Sequence, residues 1–428
     1  MNYIEALNYI NDKSKYGSRL GLHSIGKLLE LLGNPQNGLK YIHIAGTNGK
    51  GSVASYISSC LNSGGYKVGL FTSPYLERFN ERIQISNKDI PDEDLSRITE
   101  VVKEKADLMV SEGWDHPTTF EIITAIAFIH FKEENTDYVV LEVGLGGRHD
   151  STNIISESLV SVITTLDYDH IDVLGNTIGE IAYQKAGIIK DKGLVVSYPQ
   201  DEDAIKVLKE VSHEKSADLH LLNTDNIVPK KESHIGSVFD FTYKGVTLKD
   251  IKISMLGSYQ IYNASLAIYT LIILRDKGLL KIDNQAIYQG LAAAKWRGRL
   301  EVMEETPTIL IDGAHNLQGM KNLVKALELF DYKKLILGTA ILGDKDYKEM
   351  LKVILPKADK VVVTEVDMPR RLDIDMLGTI AKEYVDHVYM EKDIKKAVEK
   401  VLSLANEDDL VVFAGSLYLI GDVRSYLK

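Results

Sequence analysis

Along the chain, short solid runs of apolar residues alternate with longer stretches in which apolar positions recur every three or four residues. Runs at 41–45 (YIHIA), 67–71 (KVGLF), 138–143 (YVVLEV), 159–166 and 194–197 have the length and β-branching of strands buried on both faces. A further strand is expected at 81–85. The intervening stretches 52–61, 92–111, 119–131 and 177–189 read as helices, and 2–16 and 23–32 as two short helices ahead of the first strand. Strands alternating with helices and ending in polar or glycine-rich loops predict an α/β fold with a doubly wound, mostly parallel sheet. Near residue 218 the pattern changes. Segments 219–222, 238–243 and 246–255 alternate rather than run solid, with Lys244-Gly245 between the last two as a turn, which predicts a small antiparallel patch. Helices at 259–273 and 283–293 lead into Trp296-Arg297-Gly298-Arg299. Beyond them, strands at 308–311, 334–338, 357–364, 387–389 and 409–413 alternate with helices at 317–330, 346–354, 373–384 and 392–405. The expected division is therefore a domain over 1–295 and a smaller C-terminal α/β domain over 296–428.

The first strand runs into Gly46-Thr47-Asn48-Gly49-Lys50-Gly51-Ser52 and then a helix. This strand, glycine loop and helix together make a phosphate cradle, or P-loop. Glycines let backbone N–H groups turn inward, and the helix N-terminus adds its positive end. Lys50 supplies a compact positive charge for the outer phosphates and Ser52 a hydroxyl. The strict GxxxxGK[ST] spacing is not met, since its first glycine falls on Ile44 and Gly51 separates lysine from serine. Four later strand ends carry chemistry. Glu142 closes an apolar strand before Gly144-Leu145-Gly146-Gly147 and is the carboxylate best suited to Mg²⁺. Asp167, Asp169 and His170 cluster after the next strand, where His170 admits a structural reading as readily as a functional one. Asp312-Gly313-Ala314-His315-Asn316 and Ala414-Gly415-Ser416 end two strands of the second unit; the first set suits a ribose, a phosphate or a second substrate.

Composition narrows the partners. The chain has 428 residues, a net charge of −11 and a single cysteine, Cys60. The acidic balance argues against a general nucleic-acid binder, and one cysteine excludes an intrachain disulfide framework and a cysteine-rich zinc site. No window is apolar enough to span a membrane and no apolar signal core opens the chain, so a cytoplasmic protein is expected.

Taken in combination, the motifs resemble the folylpolyglutamate synthase/dihydrofolate synthase group of the Mur ligase superfamily over essentially the whole chain. They are HIAGTNGKGSV at 43–53, SPYLERFNERI at 73–83, EVGLGGRHDSTN at 142–153, LDYDHIDVLGNTIGEIAYQKAGIIK at 166–190, RGRLE at 297–301, DGAHN at 312–316 and AGSLYLIGDVR at 414–424. The resemblance implies an ATP-dependent carboxylate–amine ligase that uses Mg²⁺, takes folate or dihydropteroate and L-glutamate, and works as a monomer. It implies ATP contacts from Thr47, Asn48, Gly49, Lys50, Gly51 and Ser52, with Asn263 on the adenine side and Arg299 and Asp312 toward the nucleotide. It implies Mg²⁺ support from Ser73, Glu142 and His170. It places Arg148 and Asp150 on the folate side, and His315 and Ser416 toward the incoming glutamate. The lysine of KAGI is commonly carbamylated in such enzymes, which would make Lys185 an anion that serves catalysis with Lys50 and His315. The C-terminal domain is expected to close on ATP and glutamate. Some positions depart from the family pattern: Gln184 stands where glutamate is common, Leu317 replaces a proline after DGAHN, Ala414 a threonine, and His149 and Ser151 differ from GRLDATN.

The implied reaction forms an acyl phosphate from the folate carboxylate and ATP, which the amine of glutamate then attacks. Two other readings share part of the pattern. Another amino-acid ligase of the superfamily uses the same intermediate, but no extra N-terminal domain for a UDP-sugar peptide precedes the loop. A nonligating NTPase or kinase explains Lys50 and Glu142 and gives no reason for the 312–316 set.

Overall fold

The computed structural model describes residues 1–12 and 21–428. The helix expected over 2–16 is observed at Tyr3–Asp12, and its remaining positions lie outside the described residues. The chain divides into two compact units. One comprises Met1–Ile227, Phe241–Leu248 and Tyr262–Ala294, and the other Val228–Asp240, Lys249–Ile261 and Lys295–Lys428.

The first unit is built on an eight-stranded sheet of β1 (Tyr41–Ala45), β2 (Val68–Phe71), β3 (Ile83–Ile85), β4 (Lys88–Asp89), β5 (Tyr138–Glu142), β6 (Val160–Ile163), β7 (Leu194–Ser197) and β8 (Asp218–Leu221). Their order is β4-β3-β2-β5-β1-β6-β7-β8. All pairs from β2 to β8 are parallel, and β3 and β4 add an antiparallel edge. Every residue of β1 is buried, as expected of a parallel strand covered on both faces. Helices Asp92–Ser111 and Thr119–Glu133 pack with β5 and the N-terminal helices in one apolar core. Since β5 and β6 lie on opposite sides of β1, the crevice beyond the carboxyl ends of these three strands is the topological switch point where ligands bind in such sheets.

Two sequence expectations need correction here. Residues 81–85 were expected as one strand, but Phe79–Arg82 forms a 3₁₀ turn and only Ile83–Ile85 is strand. The Glu81 carboxylate causes this: it accepts the backbone N–H groups of Leu76, Glu77 and Arg78 and so bends the chain before the ladder begins. Residues 219–222 were expected in the antiparallel patch. They form β8 instead, parallel to β7 and reached through the crossover helix Glu202–Glu214. The sequence Asp218-Leu219-His220-Leu221 alternates polar and apolar residues, as an antiparallel strand with one wet face does. The separate three-stranded sheet consists of β9 (Ile227–Ser233), β10 (Gly236–Tyr243) and β11 (Val246–Ile253), in the order β11-β10-β9. Lys244 and Gly245 both take positive φ, 47° and 79°, as the two-residue hairpin turn between β10 and β11 requires.

The second unit has a six-stranded sheet of β12 (Glu301–Glu305), β13 (Thr308–Asp312), β14 (Leu335–Thr339), β15 (Lys360–Val363), β16 (His387–Met390) and β17 (Leu410–Ala414), ordered β12-β13-β17-β14-β15-β16. All neighbours are parallel except the edge pair β12 and β13. The half-buried Glu301 at the start of β12 is tied to Arg424 of the C-terminal helix Leu417–Leu427. Arg424 Nε and Nη2 lie 3.0 and 2.8 Å from Glu301 Oε1, and the Gly298 N–H reaches Oε2 at 2.7 Å. Arg424 is 8% exposed, so removing Glu301 would strand a buried cation and removing Arg424 a half-buried anion. Arg424→Ala should therefore lower stability by about 3 kcal/mol, read as a shifted denaturant midpoint at unchanged slope. The double apolar replacement Glu301→Leu with Arg424→Met should recover most of that loss. A single variant as stable as the parent would show the pair to be idle.

Candidate active site

The carboxyl end of β1 turns into the phosphate loop through two glycines that tolerate no side chain. A Cβ on Gly46 would lie 1.8 Å from Thr164 Oγ1. Gly49 has φ +85° and caps the helix Lys50–Ser63, and a Cβ there would meet Asn263 Oδ1 at 2.7 Å. The helix thus begins at Lys50, two residues earlier than the apolar pattern placed it, which brings its first N–H groups to the loop. The loop is laced to the end of β6. The Thr47 N–H donates to Thr165 O at 2.8 Å, and Thr47 Oγ1 lies 3.0 Å from both the carbonyl and the N–H of Asp167. Thr164 Oγ1 donates to Asn48 O at 2.7 Å. The sequence reading passed over Thr164 and Thr165, although two threonines ending an apolar strand beside an acidic cluster are the signal that could have found them.

Two lysines converge on one carbonyl. Lys50 Nζ donates to Gly46 O at 3.1 Å and to Thr47 O at 3.2 Å, and Lys185 Nζ donates to the same Gly46 O at 2.8 Å. Lys185 projects from the helix Ile178–Ala186 and is 5% exposed. Burial, and secondly the charge of Lys50, pull its basicity down to about 7, against the opposing pull of Asp169 and Asp150. Near neutral pH much of Lys185 is therefore a free amine.

The glycine-rich segment after β5 packs backbone to backbone on this helix. A Cβ on Gly147 would lie 2.9 Å from the carbonyl oxygens of Gln184 and Lys185, and one on Gly187 would strike Arg148. The Arg148 N–H donates to Gln184 O at 2.8 Å, and its guanidinium stacks 4.0 Å above the Tyr183 ring. The Asn153 amide donates to Arg148 O and Gly187 O at 3.2 and 3.0 Å, while its oxygen accepts from Lys190 at 2.8 Å. Asp150 is buried and accepts N–H groups of Leu145 and Thr152 at 2.8 and 3.0 Å. Burial raises its proton affinity, partly offset by these hydrogen bonds.

Glu142 ends β5 and Ser73 lies just past the end of the neighbouring parallel strand β2, where its N–H donates to Glu142 Oε2 at 3.1 Å. His170 follows β6, two strands from β5 in the sheet. It has φ 50°, starts the short helix Ile171–Leu174 and keeps Nε2 3.8 Å from Asp169 Oδ2. Among the described residues no three His, Cys, Asp or Glu side chains gather as a metal-holding group. The donors at the β2 and β5 ends are oxygens, the set Mg²⁺ prefers, and that ion commonly keeps waters and takes one or two carboxylates.

In the second unit, Asp312 ends β13 and is buried. Its carboxylate accepts from the N–H groups of Leu300 and Ala314, both at 2.8 Å. Burial raises its proton affinity and the nearby Arg299 charge opposes this. His315 Nδ1 lies 2.7 Å from Gly313 O. A carbonyl only accepts, so Nδ1 carries the proton and Nε2 is the basic nitrogen. Ser416 caps the helix Leu417–Leu427, its oxygen accepting from Tyr418 N–H at 3.2 Å. The sequence reading ended at a strand-to-loop junction there and missed this helix.

Comparison with known proteins extends these findings. Residues 44–271 match the Mur ligase middle domain, and residues 298–417 the Mur ligase, glutamate ligase domain. The chain is 34% identical over 434 residues to the dihydrofolate synthase/folylpolyglutamate synthase of Bacillus subtilis (strain 168), covering 100% of this chain and 99% of that one. It is 36% identical over 433 residues to the folylpolyglutamate synthase of Lacticaseibacillus casei, again covering 100% and 99%. The crystal structure of Mycobacterium tuberculosis folylpolyglutamate synthase complexed with ADP and AMPPCP matches with a TM-score of 0.90 at 32% identity, covering 100% of this chain and 99% of that one. Among the described residues, no helix is long and apolar enough to cross a membrane.

Proposed function

The chain belongs to the folylpolyglutamate synthase/dihydrofolate synthase family of the Mur ligase superfamily, and from this premise we infer that it is an ATP-dependent ligase joining L-glutamate to a folate or dihydropteroate carboxylate. The observation that carries the inference beyond kinship is the convergence of Lys50 and Lys185 on Gly46 O, at the phosphate loop of a switch-point crevice. In the first step the substrate carboxylate attacks the γ-phosphorus of ATP, giving an acyl phosphate and ADP. Two anions must meet, so a fixed cation is needed at the loop. Lys50 supplies it, with Thr47, Asn48, Gly49, Gly51 and Ser52 shaping the cradle and Asn263 beside Gly49 serving the adenine side. Ser73, Glu142 and His170 would hold Mg²⁺, which supplies further neutralisation of phosphoryl oxygens.

In the second step the amine of glutamate attacks the acyl carbonyl and phosphate leaves. The attacking amine must be neutral, and His315 Nε2 is the base we assign to take its proton. Arg299 and Asp312 are assigned to the nucleotide, Ser416 to the glutamate, and Arg148 and Asp150 to the folate side. The phosphate loop and the folate side are assigned to 1–295, and contacts to both ATP and glutamate to 296–428, with the enzyme acting as a cytoplasmic monomer. Lys185 is assigned as a carbamate: its amine adds to CO₂ with loss of a proton and gains a carboxylate while keeping one N–H for Gly46 O. That group lessens the like-charge conflict with Lys50.

The test is product mass after incubation with Mg·ATP, L-glutamate and either dihydropteroate or a reduced folate. One glutamate added to dihydropteroate identifies synthase activity, and a lengthened folate identifies polyglutamylation. We expect both. No product from either, with ATP binding intact, would overturn the substrate assignment in favour of another amino-acid ligase.

A further inference from the structure

His43 lies in the middle of β1 between Ile42 and Ile44 and is fully buried. An apolar residue would serve a strand covered on both faces, so the imbalance introduced by an imidazole has to be explained by what it touches. Its Nε2 lies 2.9 Å from Thr152 Oγ1, and Thr152 Oγ1 lies 2.5 Å from Asp150 Oδ1. A hydroxyl has one proton to give. The carboxylate only accepts when ionised, so the threonine proton goes to Asp150 and His43 Nε2 must be the donor to Thr152. This fixes the neutral Nε2–H tautomer and leaves Nδ1 as a bare lone pair, which is buried with no hydrogen-bond partner. Burial, and secondly the charge of Lys190, hold the basicity of the ring well below the ordinary range, in agreement with that tautomer. An unmet buried nitrogen is costly, and leucine in its place would avoid the cost. What the imidazole alone supplies is an N–H aimed at Thr152.

We propose that His43 is a positioning residue for ligation, whose Nε2–H orients the Thr152 hydroxyl and through it fixes the Asp150 carboxylate. With the Leu145 and Thr152 N–H groups, this chain holds both oxygens of Asp150 in one orientation relative to the sheet. The inference rests on the folate-side assignment of Asp150, and hydrogen bonds in series strengthen one another in a dry interior.

The test uses the full chain with Mg·ATP, L-glutamate and whichever pteroate or folate proves to be turned over. His43→Leu should raise KM for the pteroate or folate substrate roughly tenfold while leaving KM for ATP unchanged. His43→Gln, whose amide N–H reaches like Nε2, should stay near the parent. Thr152→Val should match His43→Leu, and the double variant should be no worse than either, because both cut the same chain. Equal effects on all substrates, failure of glutamine to rescue, or additive losses would each overturn the proposal. Should His43→Leu not fold, ¹⁵N spectra of histidine-labelled parent protein still decide. Nε2 should be protonated and Nδ1 bare, without titration from about pH 5 to 8. A protonated Nδ1 overturns the chain whatever the substrate is, whereas absent ligation with the expected spectrum overturns the folate assignment and leaves the chain standing.

Discussion

Lys50→Ala should lower kcat by about 10²- to 10³-fold while leaving the thermal midpoint within a few degrees of the parent. Lys50 is half-buried and its ammonium rests on two loop carbonyls, at 3.1 and 3.2 Å, so the fold does not depend on its charge. Transfer of a phosphoryl group to a carboxylate builds negative charge where the attacking oxygen and the γ-phosphate meet, and a fixed cation beside the loop is worth most at that moment. Lys50→Arg should restore only part of the rate, since a planar fork cannot sit on the same two carbonyls as a point charge does. A second readout separates this account from simple damage to the loop. Lys50 is one of the groups pulling down the basicity of Lys185, so its removal should raise the pH at which Lys185 titrates above about 7. Near-parent ligation by Lys50→Ala would sink the central assignment of the loop.

The positions legible from sequence are those where chemistry and geometry coincide within a few residues. The loop at 46–52 was legible because a solid apolar run, three glycines, a lysine and a helix fall in one short stretch. The order of elements was legible for the same reason: strands covered on both faces leave unbroken apolar runs. Two strands were lost and a third misplaced where that link between burial and pattern fails. Strand β9 carries Lys230, Lys231 and Glu232 and is mostly exposed, so nothing apolar marked it. Strand β12 reads Glu-Val-Met-Glu-Glu, an edge whose charges hid it, although Glu301 proved to be the partner of Arg424. Strand β8 was seen but assigned the wrong neighbours, because its alternation of polar and apolar residues does not distinguish a parallel partner from an antiparallel one. In the site, Asn153 and the role of His43 were not legible at all, and Thr164 left only the mark of a threonine pair at a strand end. Each acts through contacts with residues more than thirty positions away, as in the His43–Thr152 and Thr164–Asn48 pairs or the Asn153–Gly187 bond, and such contacts leave no local spacing to read.

Lys185→Ala should abolish ligation, and short carboxylates such as acetate should restore a part of it. Lys185 shares the Gly46 carbonyl oxygen with a second lysine, Lys50. An ammonium at Lys185 is disfavoured by burial and by Lys50, and the amine it leaves is a nucleophile toward CO₂. The carbamate so formed carries the negative charge that Lys50 favours, whereas an unmodified amine adds nothing to phosphoryl transfer. The sign of the pH dependence follows. As pH falls through about 7 the amine gains a proton, the carbamate loses CO₂ and the rate drops, and added bicarbonate should move that drop to lower pH. In Lys185→Ala bicarbonate should have no effect, while acetate should act at any pH where it is ionised. Carbon-13 bicarbonate should give the parent enzyme a carbamate resonance that Lys185→Ala lacks. Full activity in Lys185→Ala would remove the residue from catalysis. A folded, inactive Lys185→Ala that no carboxylate rescues, with no carbamate resonance in the parent, would make Lys185 a plain donor to Gly46 O that holds the loop to the helix Ile178–Ala186.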